Sequence, residues 1–427
     1  MGATLFADVR VIDGTGAKPF AADVLVEGNR IAKVARHKKR LDPRGATVID
    51  GGGRTLMPGL TDAHAHLSFL NAPTLEALTA MTVERQVLET AKNARLLLDH
   101  GFTSMFSGAS VRPRIDVAIR DAINAGDIPG PRLLACTKQM TVTGGFGDLG
   151  QGEREIGEHG YAIVLNGPDE FRLACRKAAR DGVDTFKIVP SAFAMGSRAL
   201  VAEDTVMSDA EVAAVCEVAR QRNRHVAAHA RSADAVKICV RNGVDVIYHA
   251  TLADEEAKDL LEAKKDRVFV APAMGLQYAR LHEAEKYGVR FEGIARRRVE
   301  AELEIVSAVM RDLHKRGVRV LPGGDYGFQV TPHGRNALDL QFFVELYGFT
   351  PLEAIRAATQ HGGELMGHAG ELGVVREGAL ADLLLVDGDP SKDIRILQDR
   401  NRFDAIMKDG VFHKAPPAAS PLRVAAE

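Results

Sequence analysis

The fold is decided by the stretch Leu56-Met57-Pro58-Gly59-Leu60-Thr61-Asp62-Ala63-His64-Ala65-His66. A short apolar run ends there in two histidines that are separated by one small residue. If the run is a β-strand, alternate side chains point to the same face, so His64 and His66 would project together. Two imidazoles on one face at the end of a strand form half of a metal site. Because an isolated His-x-His pair is more often unrelated to a metal, the other ligands must be found elsewhere in the chain.

Strand-like and helix-like patterns alternate from this stretch to about residue 365. The sequence predicts a strand at 132–136 followed by a Gly-rich loop through Gly150, helices at 209–222 and 233–242, and a strand at 225–230 between those helices. Roughly eight such units predict a parallel sheet with crossover helices and favour a (β/α)8 barrel. The competing doubly wound sheet normally carries its glycine fingerprint after the first strand, whereas Gly51-Gly52-Gly53 precedes the strand here.

Short β-strands broken by turns are predicted at both ends of the chain. Val24–Ile31 and Ala381–Val386 are examples from the two ends. We expect these strands to pair into one small β-sandwich domain. The predicted domains are 1–56 (first part of the β-sandwich), 57–365 (metal-dependent barrel) and 366–427 (second part of the β-sandwich and a loose tail).

Composition limits the class of protein. The chain has 427 residues, 46% of them hydrophobic and 26% charged, so a sizeable core is expected. A net charge of −2 gives no reason to expect nucleic acid or an acidic membrane as a partner. The four cysteines are far apart and lack metal-finger spacing, which is typical of reduced thiols in the cytoplasm. We see no signal peptide or membrane-spanning run, and we expect a cytoplasmic protein that acts on a small molecule.

Candidate site residues come from the predicted C-terminal ends of the barrel strands, where the chemistry of such barrels lies. His229 or His249 alone could be a packed core histidine, and Asp325 could be a helix N-cap. Lys187 is harder to dismiss, because a lysine inside an apolar strand is costly to bury unless its charge is paired or removed, for example as a carbamate. The joint placement of all six favours a functional site: His64, His66, Lys187, His229, His249 and Asp325.

This set of residues resembles the ligand set of the amidohydrolase superfamily, specifically its binuclear branch with a carboxylated lysine. Met57–His66 and the returning segments 372–378 and Ala381–Val386 resemble that superfamily as well. The resemblance implies two divalent metal ions, expected to be zinc. His64, His66 and Asp325 would hold one ion, His229 and His249 the other, and Lys187, carbamylated by CO2, would bridge them. It also implies a homo-oligomer and attack by a metal-bridging hydroxide, with Asp325 passing the proton to the leaving amine.

Within the superfamily, the order of segments resembles the Xaa-prolidase and Xaa-Arg dipeptidase-like group, and bacterial amidohydrolases that hydrolyse ochratoxin A. This implies cleavage of the amide bond of N-acyl amino acids or dipeptides. Phe146 and Arg231 stand where many members of the group have His and Tyr. Arg231 could bind a substrate carboxylate and Phe146 could stack on an aromatic acyl group, but a solvated arginine and a loop-packing phenylalanine are equally open. The candidate substrate contacts are Phe146, Arg231, Phe193, Arg198, Tyr326 and His333, with Arg335 as a further carboxylate candidate.

Three alternatives remain at the level of sequence. A hydrolase of cyclic amides, lactones or imidazolones would have a similar metal site, and only the pocket would distinguish it. A deaminase of the superfamily carries Glu three residues after the fifth-strand histidine, where this chain has Ser232. A non-catalytic scaffold would be expected to have lost metal ligands, yet all six positions are filled here.

Overall fold

The computed structural model describes residues 2–36, 40–43, 45–150, 157–192 and 201–416. The β-strands are β1 Ala3–Val11, β2 Phe20–Glu27, β3 Arg30–Arg36, β4 Ala46–Asp50, β5 Thr55–Pro58, β6 Leu60–Ala65, β7 Phe102–Ser107, β8 Arg132–Leu134, β9 Cys136–Thr141, β10 Ala162–Val164, β11 Thr185–Ile188, β12 His225–Ala230, β13 Val246–His249, β14 Phe269–Ala271, β15 Arg319–Val320, β16 Leu383–Val386, β17 Phe403–Lys408 and β18 Val411–Lys414. The α-helices are α1 Val83–Asp99, α2 Ile115–Ala125, α3 Pro168–Arg180, α4 Asp209–Arg222, α5 Ala233–Asn242, α6 Glu255–Ala263, α7 Gly275–His282, α8 Gly293–Lys315, α9 Leu338–Glu345, α10 Pro351–Ala358 and α11 Gln360–Leu365.

The chain divides into two compact units. The first comprises Met1–Thr61, Leu97–Ser104 and Phe349–Glu427, and the second comprises Asp62–Leu96 and Met105–Gly348. Both chain ends contribute to the first unit. That unit also includes α10 and α11, whereas the sequence places this segment at the end of the barrel.

The first unit is built on one hydrogen-bonded sheet. Its strand order is β18-β17-β16-β5-β1-β2-β3, with β4 attached to β1. Strand β1 changes neighbours along its length, because residues 3–7 pair with β4 and residues 10–11 pair with β5. A bulge between Phe6 and Val9 accompanies the change, and such bulges let a strand pass from one layer to another. The enclosed core contains Val24, Leu56 and Leu385, so residues from both chain ends are buried together as predicted.

The second unit is a parallel barrel. One ladder runs β10-β9-β11-β12-β13-β14-β15 and another runs β6-β7-β8. Only Ala135 separates β8 from β9, so these two strands join the ladders. The N–H of Ala63 in β6 donates to the carbonyl of Pro322, just after β15, at 3.0 Å. The predicted (β/α)8 barrel with a β-sandwich is confirmed, and β10 is an additional strand beside β9.

Local capping explains why the helices around β12 begin and end where they do. The hydroxyl oxygens of Ser208 and Ser232 accept hydrogen bonds from the N–H groups of Glu211 and Ala235, at the starts of α4 and α5. Gly243 ends α5 with a left-handed φ of 85°, which glycine adopts without steric cost. The predicted helices 209–222 and 233–242 and the predicted strand 225–230 match the structure. These short connections hold the end of β12, and therefore His229, in place.

The third barrel strand differs from its prediction. The sequence predicts a strand at 132–136 and then a loop, but β9 continues to Thr141 and all of its residues are buried. The prediction was wrong because Thr137, Lys138 and Gln139 interrupt the apolar run. Separately, no helix among the described ranges has both the length and the hydropathy that crossing a membrane requires.

Candidate active site

Three predicted ligands meet at the ends of the first and last barrel strands. The ligand atoms of His64, His66 and Asp325 all lie within 4.8 Å of one another. Oδ1 of Asp325 is 2.9 Å from Nε2 of His66 and 3.9 Å from Nε2 of His64. Both imidazoles are only 1% exposed, whereas the Asp325 side chain is 18% exposed. Together they form a three-ligand cluster with one side open to the cavity.

A second pair of ligands converges at the neighbouring strand ends. His229 is the last but one residue of β12, and the following Ala230 pairs in register with His249 at the end of β13. Nδ1 of His229 and Nε2 of His249 are 2.9 Å apart. A separation of this size is compatible with two ligand atoms of one metal ion, although in the metal-free chain the two rings are in hydrogen-bonding contact.

Lys187 lies beside the first cluster. It is 1% exposed in β11, and its Nζ is 3.4 Å from Nε2 of His64 and 3.9 Å from the centre of the Tyr248 ring. No carboxylate of the described residues forms an ion pair with it. Burial lowers the pKa of Lys187 to about 7, so a large share of the amine is unprotonated near neutral pH.

His64 and His66 are held in place by close neighbours. Nδ1 of His66 lies 3.1 Å from the carbonyl oxygen of Ala109, to which it can donate, and this contact turns Nε2 of the same ring toward Asp325. Tyr248 stacks on His64 with ring centres 3.5 Å apart, and its O–H donates to the carbonyl of Ala63 at 3.0 Å. A Cβ on Gly108 would lie 2.3 Å from Cδ2 of His64, so only glycine fits there.

The charges of these groups suit a cation. Burial lowers the pKa of His64, His229 and His249 well below that of a free imidazole, and nearby positive charges lower it further. Burial alone would raise the pKa of Asp325, but the hydrogen bond with His66 and the charge of Lys187 bring it below its ordinary value. Neutral imidazoles together with an ionised carboxylate are the donor set that zinc and similar divalent ions prefer. The residues present therefore fit a divalent metal.

Backbone strain is concentrated at the same place. His249 and Asp325 have left-handed φ values of 75° and 61°. Such conformations cost about 1–3 kcal/mol each for residues other than glycine, and they persist where the surrounding structure enforces them. The fold thus holds two of the ligands in conformations that they would not adopt in isolation.

A cavity opens above the ligands. Its wall is partly apolar, with Leu75, Leu276 and Phe328. Phe146 also lines it and stacks on His229 with ring centres 5.1 Å apart. Arg231 lines it as well and is 3% exposed. The cavity therefore has an aromatic and aliphatic wall with one arginine close to the ligands.

The Arg231 guanidinium is embedded in a polar group. It forms an ion pair with Glu302 and donates to Oγ1 of Thr251 at 3.3 Å. Its Nη2 also lies 3.3 Å from Nδ1 of His249. Of the two interpretations from sequence, a solvated arginine is wrong, since Arg231 is buried.

The other predicted substrate contacts lie elsewhere. The O–H of Tyr326 donates to Oδ1 of Asp339 at 2.9 Å, and Nε2 of His333 is 3.0 Å from the carbonyl oxygen of His66. Neither side chain is among the described residues that line the cavity. Arg335 forms an ion pair with Glu283. Phe193 and Arg198 lie outside the described residues.

Three contributors were not found from the sequence. Gln139 and Tyr161 line the cavity, but Gln139 falls where a loop was predicted and Tyr161 lies in no recognised motif. Asp62 accepts hydrogen bonds from the N–H of His64 at 2.9 Å and from Nδ2 of Asn336 at 2.7 Å. Its position within the quoted stretch, two residues before His64, was a usable signal.

Known proteins resemble this chain along most of its length. The model of the amidohydrolase family matches residues 55–412. An ochratoxinase from Aspergillus niger is 29% identical over 381 residues, covering 84% of this chain and 76% of that protein. An imidazolonepropionase from Anaeromyxobacter dehalogenans is 26% identical over 443 residues, covering 95% and 93%. The crystal structure of a Xaa-Pro dipeptidase with bound methionine in its active site superimposes with a TM-score of 0.83 at 28% identity, covering 97% of this chain and all (100%) of that one.

Proposed function

The chain belongs to the amidohydrolase family of hydrolases, and we propose that it is a binuclear metal-dependent enzyme that cleaves the amide bond of N-acyl amino acids or dipeptides. The observation that carries the proposal is the convergence of six side chains at the ends of the barrel strands. These are His64, His66, Lys187, His229, His249 and Asp325. The ochratoxinase and Xaa-Pro dipeptidase relatives support an amide substrate with a free carboxylate, and ochratoxin A is one candidate.

The two metal ions would be held by the two groups of ligands described above. His64, His66 and Asp325 would hold one, and His229 and His249 the other. Bound divalent cations supply a Lewis acid and lower the pKa of a coordinated water from 15.7 to about 7. We expect zinc from the imidazole and carboxylate ligands.

Lys187 would bridge the two ions as a carbamate. Its amine would add to CO2, forming a C–N bond and releasing one proton, which replaces a buried cation by a carboxylate-like group. Support comes from its burial, from the 3.4 Å distance to His64 and from the lack of an ion pair with any described carboxylate. A buried, unpaired ammonium would otherwise be costly.

Asp325 would transfer the proton during the reaction. Water adds to the carbonyl carbon, Asp325 accepts a proton from that water, and the proton then moves to the amide nitrogen as the C–N bond breaks. Asp325 suits this role because it lines the cavity and its carboxylate is ionised before the reaction. A proton on nitrogen is required, since an amide anion is a very poor leaving group.

A cluster of polar residues beside the cavity would bind the carboxylate of the substrate. Glu302 pairs with Arg231 and accepts from Nε2 of Gln277 at 3.0 Å, while Nη1 of Arg280 donates to Oε1 of Gln277 at 3.4 Å. Arg231 is the member of this cluster that lines the cavity, and its guanidinium group would bind the carboxylate, while Glu302 and Thr251 hold that group in place. Phe146 and Phe328 would contact the acyl group.

The proposal is tested by metal content together with hydrolysis. Purified protein is analysed for zinc and other divalent metals and incubated with N-acyl amino acids and dipeptides, including ochratoxin A, while release of free amino acid is followed. About two metals per chain with release of an amino acid support the proposal. Bound metal with no release from any member contradicts the assignment to amides. Size-exclusion chromatography tests the expected homo-oligomer, which rests on resemblance alone.

A hydrolase of imidazolones or related cyclic amides is the second candidate. The imidazolonepropionase relative, which covers 95% of this chain, favours it. Arg231 in the cavity wall would suit a carboxylate on either kind of substrate, so hydrolysis has to distinguish the two candidates. Ring opening of an imidazolone by the protein, without hydrolysis of linear amides, would decide for this candidate.

A further inference from the structure

A glutamine and a tyrosine form a polar patch in the otherwise apolar cavity wall. Gln139 in β9 pairs in register with Lys187 in β11, and residues paired on adjacent strands point to the same side of the sheet. Both Gln139 and Tyr161 line the cavity together with Asp325. The patch therefore lies beside the reacting groups, yet the proposed metal ligands do not include it.

The hydrogen bonding of this pair is incomplete. Nε2 of Gln139 donates to the phenolic oxygen of Tyr161, which leaves the tyrosine proton to be donated elsewhere. Oε1 of Gln139 is buried, and within the described part of the chain it has no hydrogen-bond partner. Gln139 is 4% exposed and Tyr161 1%. Burial raises the pKa of Tyr161 well above its ordinary value, and the charge of Asp325 raises it further, so the phenol stays protonated.

We propose that this pair binds the scissile amide itself. Oε1 of Gln139 accepts a hydrogen bond from the amide N–H, and the O–H of Tyr161 donates one to the amide carbonyl oxygen. The inference rests on the proposed amide hydrolase function and specifies which class of amide the enzyme prefers. The enzyme prefers secondary amides to the tertiary amides formed with proline or other N-substituted amino acids.

The preference follows from the cost of an unpaired buried acceptor. A tertiary amide has no N–H, so Oε1 of Gln139 would remain without a donor when that substrate fills the cavity. A site built to hydrogen-bond a substrate group discriminates strongly against the analogue that lacks it. The hydrogen bond from Tyr161 to the carbonyl oxygen is the same for both amides. Tyr161 should therefore increase the rate of hydrolysis of both without contributing to the preference for secondary amides.

The experiment compares an N-acyl-glycine with the N-acyl-sarcosine that has the same acyl group. These substrates differ only in one N-methyl group that replaces the N–H. For the metal-loaded wild type we expect kcat/KM to favour the glycine amide by about 10- to 100-fold. Gln139→Leu should reduce this ratio to near one, whereas Gln139→Glu, which keeps an acceptor, should retain most of it. Tyr161→Phe should lower kcat/KM for both substrates by a similar factor and leave the ratio intact.

The matched control for the tyrosine is Tyr347→Phe. Tyr347 is also 1% exposed, and it packs against Phe343 away from the cavity wall. This variant should leave both rates and their ratio unchanged. A wild type that hydrolyses both substrates equally, or a Gln139→Leu variant that keeps the preference, overturns the inference while the proposed function stands. Failure to hydrolyse either substrate, or any other N-acyl amino acid, would instead refute the proposed function.

Discussion

At the scale of single residues, Lys187 shows how a costly placement can reveal chemistry. A lysine inside the apolar run Thr-Phe-Lys-Ile was noticeable in the sequence, and the structure shows that the amine is buried beside His64. The sequence could identify all six ligand candidates because barrel chemistry is confined to strand ends. It could not identify Gly108, since a requirement for glycine depends on how closely another strand approaches.

Replacing Lys187 tests its bridging role. Lys187→Ala should lose most of its bound metal and activity, because the proposed bridging carboxylate is missing. Added short carboxylates such as formate or acetate should restore part of both, since they can occupy the space left by the side chain. Metal content and kcat, measured with and without the carboxylate, check this expectation. Full activity without any additive would contradict the bridging role.

Replacing Gly108 tests the close packing around His64. The new Cβ of Gly108→Ala would lie 2.3 Å from Cδ2 of His64, so the ring must move. We expect a loss of about 1–3 kcal/mol in stability, as is usual for overpacking, together with a marked loss of metal affinity. Gly130→Ala is the control, because its Cβ would lie 2.4 Å from Cδ1 of Ile123, outside the site. Equal metal affinities in the two variants would show that Gly108 does not shape the ligand cluster.

At the scale of elements, the sequence predicted the limits of a helix or strand correctly where residues at its own ends determine them. Helices α4 and α5 have serine caps and turn or stop residues that are visible in the sequence, and their limits were predicted correctly. Strand β9 has polar residues directed into the barrel, so its pattern lacks the apolar run that indicates a buried strand. The part of β9 that carries Gln139 was therefore not predicted, because the polar side chains that line the cavity also interrupt the apolar pattern.

The capping box of α4 gives a prediction at this scale. The hydroxyl oxygen of Ser208 accepts from the N–H of Glu211, and the Glu211 side chain accepts from the N–H of Ser208. Ser208→Ala should lower the free energy of unfolding by about 1 kcal/mol, while Ser208→Thr should lose much less. Since the cap is not part of the site, kcat/KM should be unchanged in both. Urea unfolding and steady-state kinetics test this, and a large kinetic effect with unchanged stability would show that the loop before α4 acts on the site.

At the scale of the whole molecule, the pairing of the two chain ends was the long-range feature that the sequence could indicate. The short strands predicted at the two chain ends would each leave backbone N–H and C=O groups unpaired at an edge. Pairing the strands of one chain end with those of the other satisfies these groups. The sequence could not predict that β1 pairs with both β4 and β5, because that depends on the bulge between Phe6 and Val9. Likewise, the sequence could not predict the ion pair between Arg231, just after β12, and Glu302 in α8, because the two residues are far apart in the chain.

The burial of Lys187 also predicts how the stability of the metal-free protein depends on pH. The pKa of Lys187 is about 7 in the folded protein, against an ordinary value of 10.5 that applies to the unfolded chain. At pH values between these two, the amine therefore takes up a proton when the protein unfolds. The free energy of unfolding must therefore increase as the pH rises through this range and decrease as the pH falls toward 7. Between about pH 7 and 8, where free cysteines are still mostly protonated, the expected gain is about 1 kcal/mol.

The matched variant for this measurement is Lys187→Met, which removes the titrating amine but keeps most of the buried volume. Urea unfolding of both metal-free proteins is followed at several pH values in buffers purged of CO2, so that no carbamate forms. The difference between the two proteins isolates the contribution of Lys187, because every other group titrates in both. Wild type should gain stability relative to Lys187→Met as pH rises. Parallel curves would mean that Lys187 keeps an ordinary pKa in the folded chain, and the amine would then be too fully protonated to capture CO2 readily near neutral pH.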